Sequence, residues 1–111
     1  MDFQKISVFL IGNATACGRW YQPEDGGETV GEFLLAVRNR YGETIVYPIR
    51  CSGRTALRVR EIQKGDRVSV AGEMEIRSST DSDGQRQMMF GVVASTCRLI
   101  RSSARAVKTT G

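Results

Sequence analysis

The sequence predicts an all-β domain, a five-stranded Greek-key barrel with one helix between its third and fourth strands and a long hairpin joining the fourth to the fifth. Three observations carry that prediction. Short runs alternate apolar and polar residues along most of the chain, the period of a half-buried strand. Only residues 54–63 show helical spacing. Gly, Asp, Ser and Pro cluster between the runs, where strands must turn.

In the first strand Ile6, Val8 and Leu10 alternate with Ser7, Phe9 and Ile11, which predicts burial on both faces. Residues 15–27 read as a loop or ragged strand carrying Trp20, Tyr21, Pro23 and the turn Glu24-Asp25-Gly26-Gly27. The second strand runs near Thr29 to Arg40, Tyr41-Gly42-Glu43 turns the chain, and Thr44 to Cys51 forms the third. Pro48 cannot donate to a ladder, so an edge or a bulge is expected there. From Arg54 to Gln63, Ala56, Val59 and Ile62 mark the inner face of a helix, with Leu57 beside them. Ser52 or Thr55 is the expected cap at its start, and Gly65 its stop. In the hairpin Val68, Val70, Gly72, Met74 and Ile76 alternate in one arm, and Met88, Phe90, Val92 and Ala94 in the other. Asp83-Gly84 marks its turn, and Asp81 and Asp83 are read as turn formers. Phe3, Phe9, Phe33 and Phe90 have apolar neighbours and are expected in the core. Three strands, a helix and a hairpin is the element order of the OB-fold. The domain is expected over residues 1–100, followed by a basic, flexible tail at 101–111.

Composition narrows the function. At 111 residues there is room for one domain with one modest core. The 16 Lys and Arg against 12 Asp and Glu give a net charge of +4, and Arg dominates the cations. Arginine presents a flat fork that pairs with phosphate and stacks on bases, which points to a nucleic-acid partner. The three cysteines, Cys17, Cys51 and Cys97, form no CxxC pair, and there is no histidine, so neither zinc nor any other cofactor is expected. Buried free thiols suit a reducing compartment, and the expected location is cytoplasmic. No signal-peptide core or membrane-spanning run is present, so no membrane role is expected. Without histidine, a nucleophile motif or clustered carboxylates, neither an enzyme nor a small-molecule substrate is expected.

A set of short motifs goes further. Val8-Phe9-Leu10-Ile11-Gly12-Asn13 is followed by Trp20-Tyr21-Gln22-Pro23, Phe33-Leu34-Leu35-Ala36-Val37 and Ser52-Gly53-Arg54. Lys64-Gly65-Asp66-Arg67-Val68-Ser69-Val70-Ala71-Gly72 completes it. In this order the blocks resemble the bacterial single-stranded DNA-binding protein family over about residues 6–100. The resemblance implies an OB-fold that coats single-stranded DNA, without chemistry and largely without sequence preference, in replication, recombination or repair. It also implies a homo-oligomer, tetramer or dimer, built through first-strand edges and sheet faces.

A strand-coating protein needs cations for the backbone and flat rings for the bases. The candidate DNA-binding residues are Arg38, Arg40, Tyr41, Arg50, Arg54, Lys64, Arg77 and Arg86, with Tyr47 and Trp20 as further stackers. Arg38 and Arg40 are expected to share a strand face. Arg54, Lys64 and Arg77 match basic positions of the family. Of the family's four stacking rings, Tyr41 alone is kept; Val46, Ser52 and Ser79 stand at the other three places. Tyr47 adjoins Val46, and a one-residue shift in register decides which of them faces the ligand. With up to three stacks missing, each worth about 1–3 kcal/mol, binding is expected to be weaker and more salt-dependent than a typical member's. The basic tail also departs from the family's acidic, apolar tip. An alternative reading is therefore an accessory module similar to the primosomal replication protein N, which binds replication proteins as well as DNA. Two others remain: an OB module that binds only protein, and RNA as the ligand.

Overall fold

The computed structural model describes residues 2–101. The elements, in chain order, are β1 (Asp2–Ala14), β2 (Arg19–Tyr21), β3 (Val30–Arg38), β4 (Thr44–Ser52), α1 (Arg54–Val59), β5 (Arg67–Thr80) and β6 (Arg86–Arg101). The sheet order is β1-β5-β6-β4-β3-β2, and a β1–β3 pairing closes it into a barrel. The five expected barrel strands are β1, β3, β4, β5 and β6. The segment expected as loop or ragged strand supplies β2, a short addition antiparallel to the start of β3. All ladders are antiparallel except β4–β6, which is parallel at Ile49↔Val92 and Arg50↔Val93. Pro48 pairs with Leu34 one residue before β6 joins β4, so the expected edge position holds. Among the described residues no helix is long and apolar enough to cross a membrane. The predicted tail beyond Arg101 lies outside the described residues, as does the side chain of Phe3.

Barrel closure explains two of the sequence blocks. At Gly12 the backbone of β3 comes so close that a Cβ would run into the carbonyl of Ala36. Next to it, Asn13 Nδ2 donates to the Gly65 carbonyl at 3.1 Å and Asn13 Oδ1 accepts from Arg67 Nη1 at 3.2 Å. Gly65 N–H donates to the Ala14 carbonyl, and Ala14 N–H to that of Asp66, both at 2.9 Å. Asp66 is 1% exposed, and its carboxylate accepts from the Gln63 N–H at 2.9 Å. The Gly12-Asn13 and Lys64-Gly65-Asp66 blocks are thus one structure, in which the loop after the helix is bonded to the end of β1.

The core is filled from the inner faces of the strands by Phe33, Leu35, Ile49, Val68, Val70 and Val92, and capped from below by Ala56, Val59 and Ile62. Cys51 and Cys97 are buried free thiols in this core. Hydrogen bonding to Cys51 and burial push the Cys97 thiol well above its usual range.

Several expectations are corrected. The first strand is buried on one face: Val8 and Leu10 pack on the core, while Phe9 is 66% exposed and Ile11 is also exposed. Phe33 is a core residue, but Phe90 is exposed. The helix ends at Val59, and Leu57 faces solvent. Its start is capped by neither Ser52 nor Thr55. Gly53, at φ 65, holds that position without a side-chain bond, and Thr55 Oγ1 donates instead to the Ser95 carbonyl at 3.2 Å. Gly65 belongs to the closure loop rather than to the helix end.

The β5–β6 hairpin extends beyond the barrel as a two-stranded arm. Asp81 makes its turn, with Oδ1 accepting from the N–H groups of Asp83 and Gln85 at 3.0 and 2.8 Å. The ladder shifts register between Ala71 and Gly72, leaving Ser95 as the extra residue of a bulge, and Ser95 Oγ donates to the Ala71 carbonyl at 3.0 Å. Such a bulge bends the strand and sets the direction of the arm.

Because closure depends on bare backbone contact at Gly12, Gly12→Ala is expected to cost about 1–3 kcal/mol. The urea midpoint should fall at unchanged slope.

Candidate nucleic-acid interface

Side chains alternate across each strand, so burial separates two faces. In β4, Tyr47, Ile49 and Cys51 point to the core, and Val46, Pro48, Arg50 and Ser52 point outward. In β3, Glu32, Leu34 and Arg38 share that outer face through the pairs Glu32↔Arg50, Leu34↔Pro48 and Arg38↔Thr44. The parallel Arg50↔Val93 pair continues it onto β6, and Arg77↔Met89 and Glu75↔Gly91 carry it onto β5. The result is one continuous outer surface over β3, β4, β6 and β5.

Its charges are interleaved. Arg50 Nη2 donates to the Tyr21 hydroxyl at 3.1 Å, and that hydroxyl donates to Glu32 Oε1 at 2.7 Å. Arg77 Nη2 lies 4.0 Å from Glu75 Oε1. A groove of about 390 Å³ runs between these two sets, over Pro48 and Ile49 on one side and Met89, Gly91 and Val93 on the other. A second groove, of about 340 Å³, adjoins it across Glu32 and Pro48, lined also by Arg19, Leu34 and Cys17. Among the described residues no group of three or more His, Cys, Asp or Glu side chains is placed to hold a metal ion.

The candidate residues separate accordingly. Arg38, Arg50 and Arg77 lie on the outer face. Arg40 and Tyr41 lie in the turn between β3 and β4, past the end of the strand, so Arg40 does not share a strand face with Arg38. That turn is built by Asn39, whose Oδ1 accepts from the N–H groups of Tyr41 and Glu43 at 2.9 and 3.0 Å, and by Gly42 at φ 84. Tyr41 is 79% exposed at its tip. Arg54 opens the helix two residues after the end of β4. Arg86 opens β6 near the tip of the arm, where its Nε donates to Ser78 Oγ at 3.0 Å. Lys64 lies in the closure loop against the end of β1, away from β4.

Two of the candidate stackers, Tyr47 and Trp20, do not lie on the outer face. The register turns Tyr47 inward, where it packs on the core and meets Phe90 edge-on at 5.9 Å; Val46 faces outward in its place. Trp20 pairs with Gly31, on the side of the sheet covered by Ala56 and Val59, and the Arg60 guanidinium lies 4.8 Å from its ring centroid. Its neighbour Tyr21 is the residue that faces Arg50.

Sequence reasoning missed Arg19, Tyr21, Glu32 and Glu75. The available signal was the alternation itself: Arg19 and Tyr21 are two apart, and Glu32 is a lone carboxylate inside the apolar run Val30–Val37. What no local pattern discloses is that Glu32 stands opposite Arg50.

Comparison with known proteins agrees with this architecture. The chain is 32% identical over 107 residues to single-stranded DNA-binding protein 1 of Clostridium acetobutylicum, covering 90% of this chain and 97% of that one. The crystal structure of a small single-stranded DNA-binding protein from Streptomyces coelicolor superposes with a TM-score of 0.75 at 21% identity, covering 92% of this chain and 98% of the other, and shows the same fold. The model of the single-strand binding protein family matches residues 6–100, from within β1 to near the end of β6, and the chain belongs to that family.

Proposed function

We propose that this protein binds single-stranded DNA along the outer face of β3, β4, β6 and β5, largely without regard to sequence. It is a binding protein and not an enzyme, serving replication, recombination or repair. The observation that carries the reading is the family match over residues 6–100. Arg38, Arg50 and Arg77 contact the strand on the sheet, Arg54 and Arg86 extend the track at its two ends, and Arg40 and Tyr41 meet it at the β3–β4 turn. Arg19 joins them from β2. Tyr47, Trp20 and Lys64 are not part of this surface. With Tyr41 and the hydrogen-bonded Tyr21 as its exposed tyrosines among the described residues, the surface depends on phosphate contacts more than on stacking.

The assembly is a homo-oligomer, a dimer or a tetramer, formed through β1. Only Asn13 and Ala14 of β1 pair with β3, and among the described residues no strand pairs with that edge from Asp2 to Gly12. An open edge beside exposed Phe9 and Ile11 favours pairing with a second copy. Exposed Met88 and Met89 on the arm support contacts with other replication proteins.

Titration of labelled oligo-dT, with duplex of equal length as competitor, tests the main reading. Binding should resist duplex and weaken with salt at a slope of about −0.7 per phosphate contact. Tyr41→Ala should weaken it by about 1–3 kcal/mol. Absence of binding at micromolar protein in low salt would reject the reading. Trp20 is the single tryptophan. Its emission should change little when oligo-dT saturates the protein, whereas Arg60→Ala should alter it; strong quenching by DNA would return Trp20 to the interface. Light scattering after gel filtration should show an oligomer for the natural protein and a monomer for Phe9→Lys.

A further inference from the structure

Two cross-strand pairs in the middle of the outer face carry no polar side chain. Leu34 stands opposite Pro48 and Ala36 opposite Val46, and alternation turns all four outward from β3 and β4. Leu34 is 45% and Val46 42% exposed, so this part of the sheet is open to a ligand. Facing side chains lie about 5 Å apart across the strands and successive ones about 7 Å apart along them, so the four make an aliphatic floor with the footprint of one base. The next outward residues along the two strands are cations. Arg38 follows Ala36 on β3 and Arg50 follows Pro48 on β4, at opposite ends of the floor. Both are engaged elsewhere: Arg50 donates to the Tyr21 hydroxyl, and Arg38 reaches toward the turn, where a Cβ on Gly42 would lie 3.7 Å from its Nη2.

We infer that this floor reads the C5-methyl group of thymine, so that the protein favours strands containing thymine over strands containing uracil, and thereby DNA over RNA. The inference rests on the single-strand binding proposed above and deepens it by naming the base feature that is rewarded. Four hydrocarbon side chains offer no donor or acceptor, so no base edge is read by hydrogen bonds there. A polar edge turned to the floor loses water without gaining a partner, which leaves the face of a base, or an apolar substituent, as the part that can rest on it. Thymine is the one standard base with such a substituent, and apolar contact with that methyl group is one way proteins read it. Burying the methyl group removes hydrocarbon from water, a gain uracil cannot make. Phosphate contacts at Arg38 and Arg50 are common to both strands, so the difference arises on the floor.

Oligo-dT is compared with oligo-dU of equal length, and oligo-dC with its 5-methylcytosine counterpart, by fluorescence anisotropy. Each methylated strand should bind about threefold more tightly than its unmethylated partner, the worth of one largely buried methyl group. The double variant Leu34→Thr, Val46→Thr puts hydroxyl groups on the floor while keeping good strand formers. It should bring both ratios to near one with oligo-dU binding little changed, while circular dichroism confirms the fold. Tyr41→Ala should weaken dT and dU strands alike and leave their ratio intact, because a ring stacks on either base. Equal binding of dT and dU strands by the natural protein, no gain from methylating cytosine, or a ratio that survives the double variant overturns the inference and leaves the proposed function standing. Failure of every oligonucleotide to bind overturns both.

Discussion

Everything on the outer surface depends on how the barrel closes at the end of β1. The contact is backbone against backbone: Gly12 lets β3 approach, and Asn13, Ala14, Gly65 and Asp66 exchange hydrogen bonds beside it. Buried main-chain groups must be paired, and this loop pairs them with groups fifty residues away in sequence. Closure sets the neighbours of β1 and β3 at once. It thereby fixes which faces of β3 and β4 look outward and where Glu32 and Arg50 meet. The blocks that carry the family resemblance most plainly are therefore structural. They hold the barrel whose outer face lies elsewhere, over β3, β4, β6 and β5.

That surface is less basic than the arginine count suggests. Of the cations it carries, Arg50 is tied through Tyr21 to Glu32, and Arg77 faces Glu75. Such pairing lowers the pull on a phosphate backbone, and it also orients the guanidinium groups. Arg38, Arg40, Arg54 and Arg86 lie toward its margins.

The two faces of the first strand have different roles. Val8 and Leu10 complete the barrel, while Phe9 and Ile11 sit exposed beside an edge that no strand among the described residues pairs. An apolar edge strand is a liability in a monomer and an asset in an assembly. The Ser95 bulge matters for a related reason. It bends β6 where the barrel ends and the arm begins, which separates the part of the hairpin that fills the core from the part that reaches outward.

By itself the sequence determined the all-β class, the order of the elements, the position of the helix and the turns at Gly42 and Asp81, because these follow from local alternation and turn chemistry. It also determined the ligand class, through motifs spaced along the whole chain. Tertiary structure alone decided which residues share a face. Tyr47 and Val46 are neighbours in sequence, and only the pairing of β4 with β3 and β6 turns the first inward and the second out. Phe9 and Phe90 have apolar neighbours in the chain, yet both are exposed in the folded barrel. Trp20 and Tyr21 diverge in the same way, one toward Arg60 and the other toward Arg50. The pairing of Arg50 with Glu32 was equally hidden, since a period of two says that side chains alternate but not what stands on the next strand. Register is a property of the closed barrel, and the chemistry of the groove follows from register.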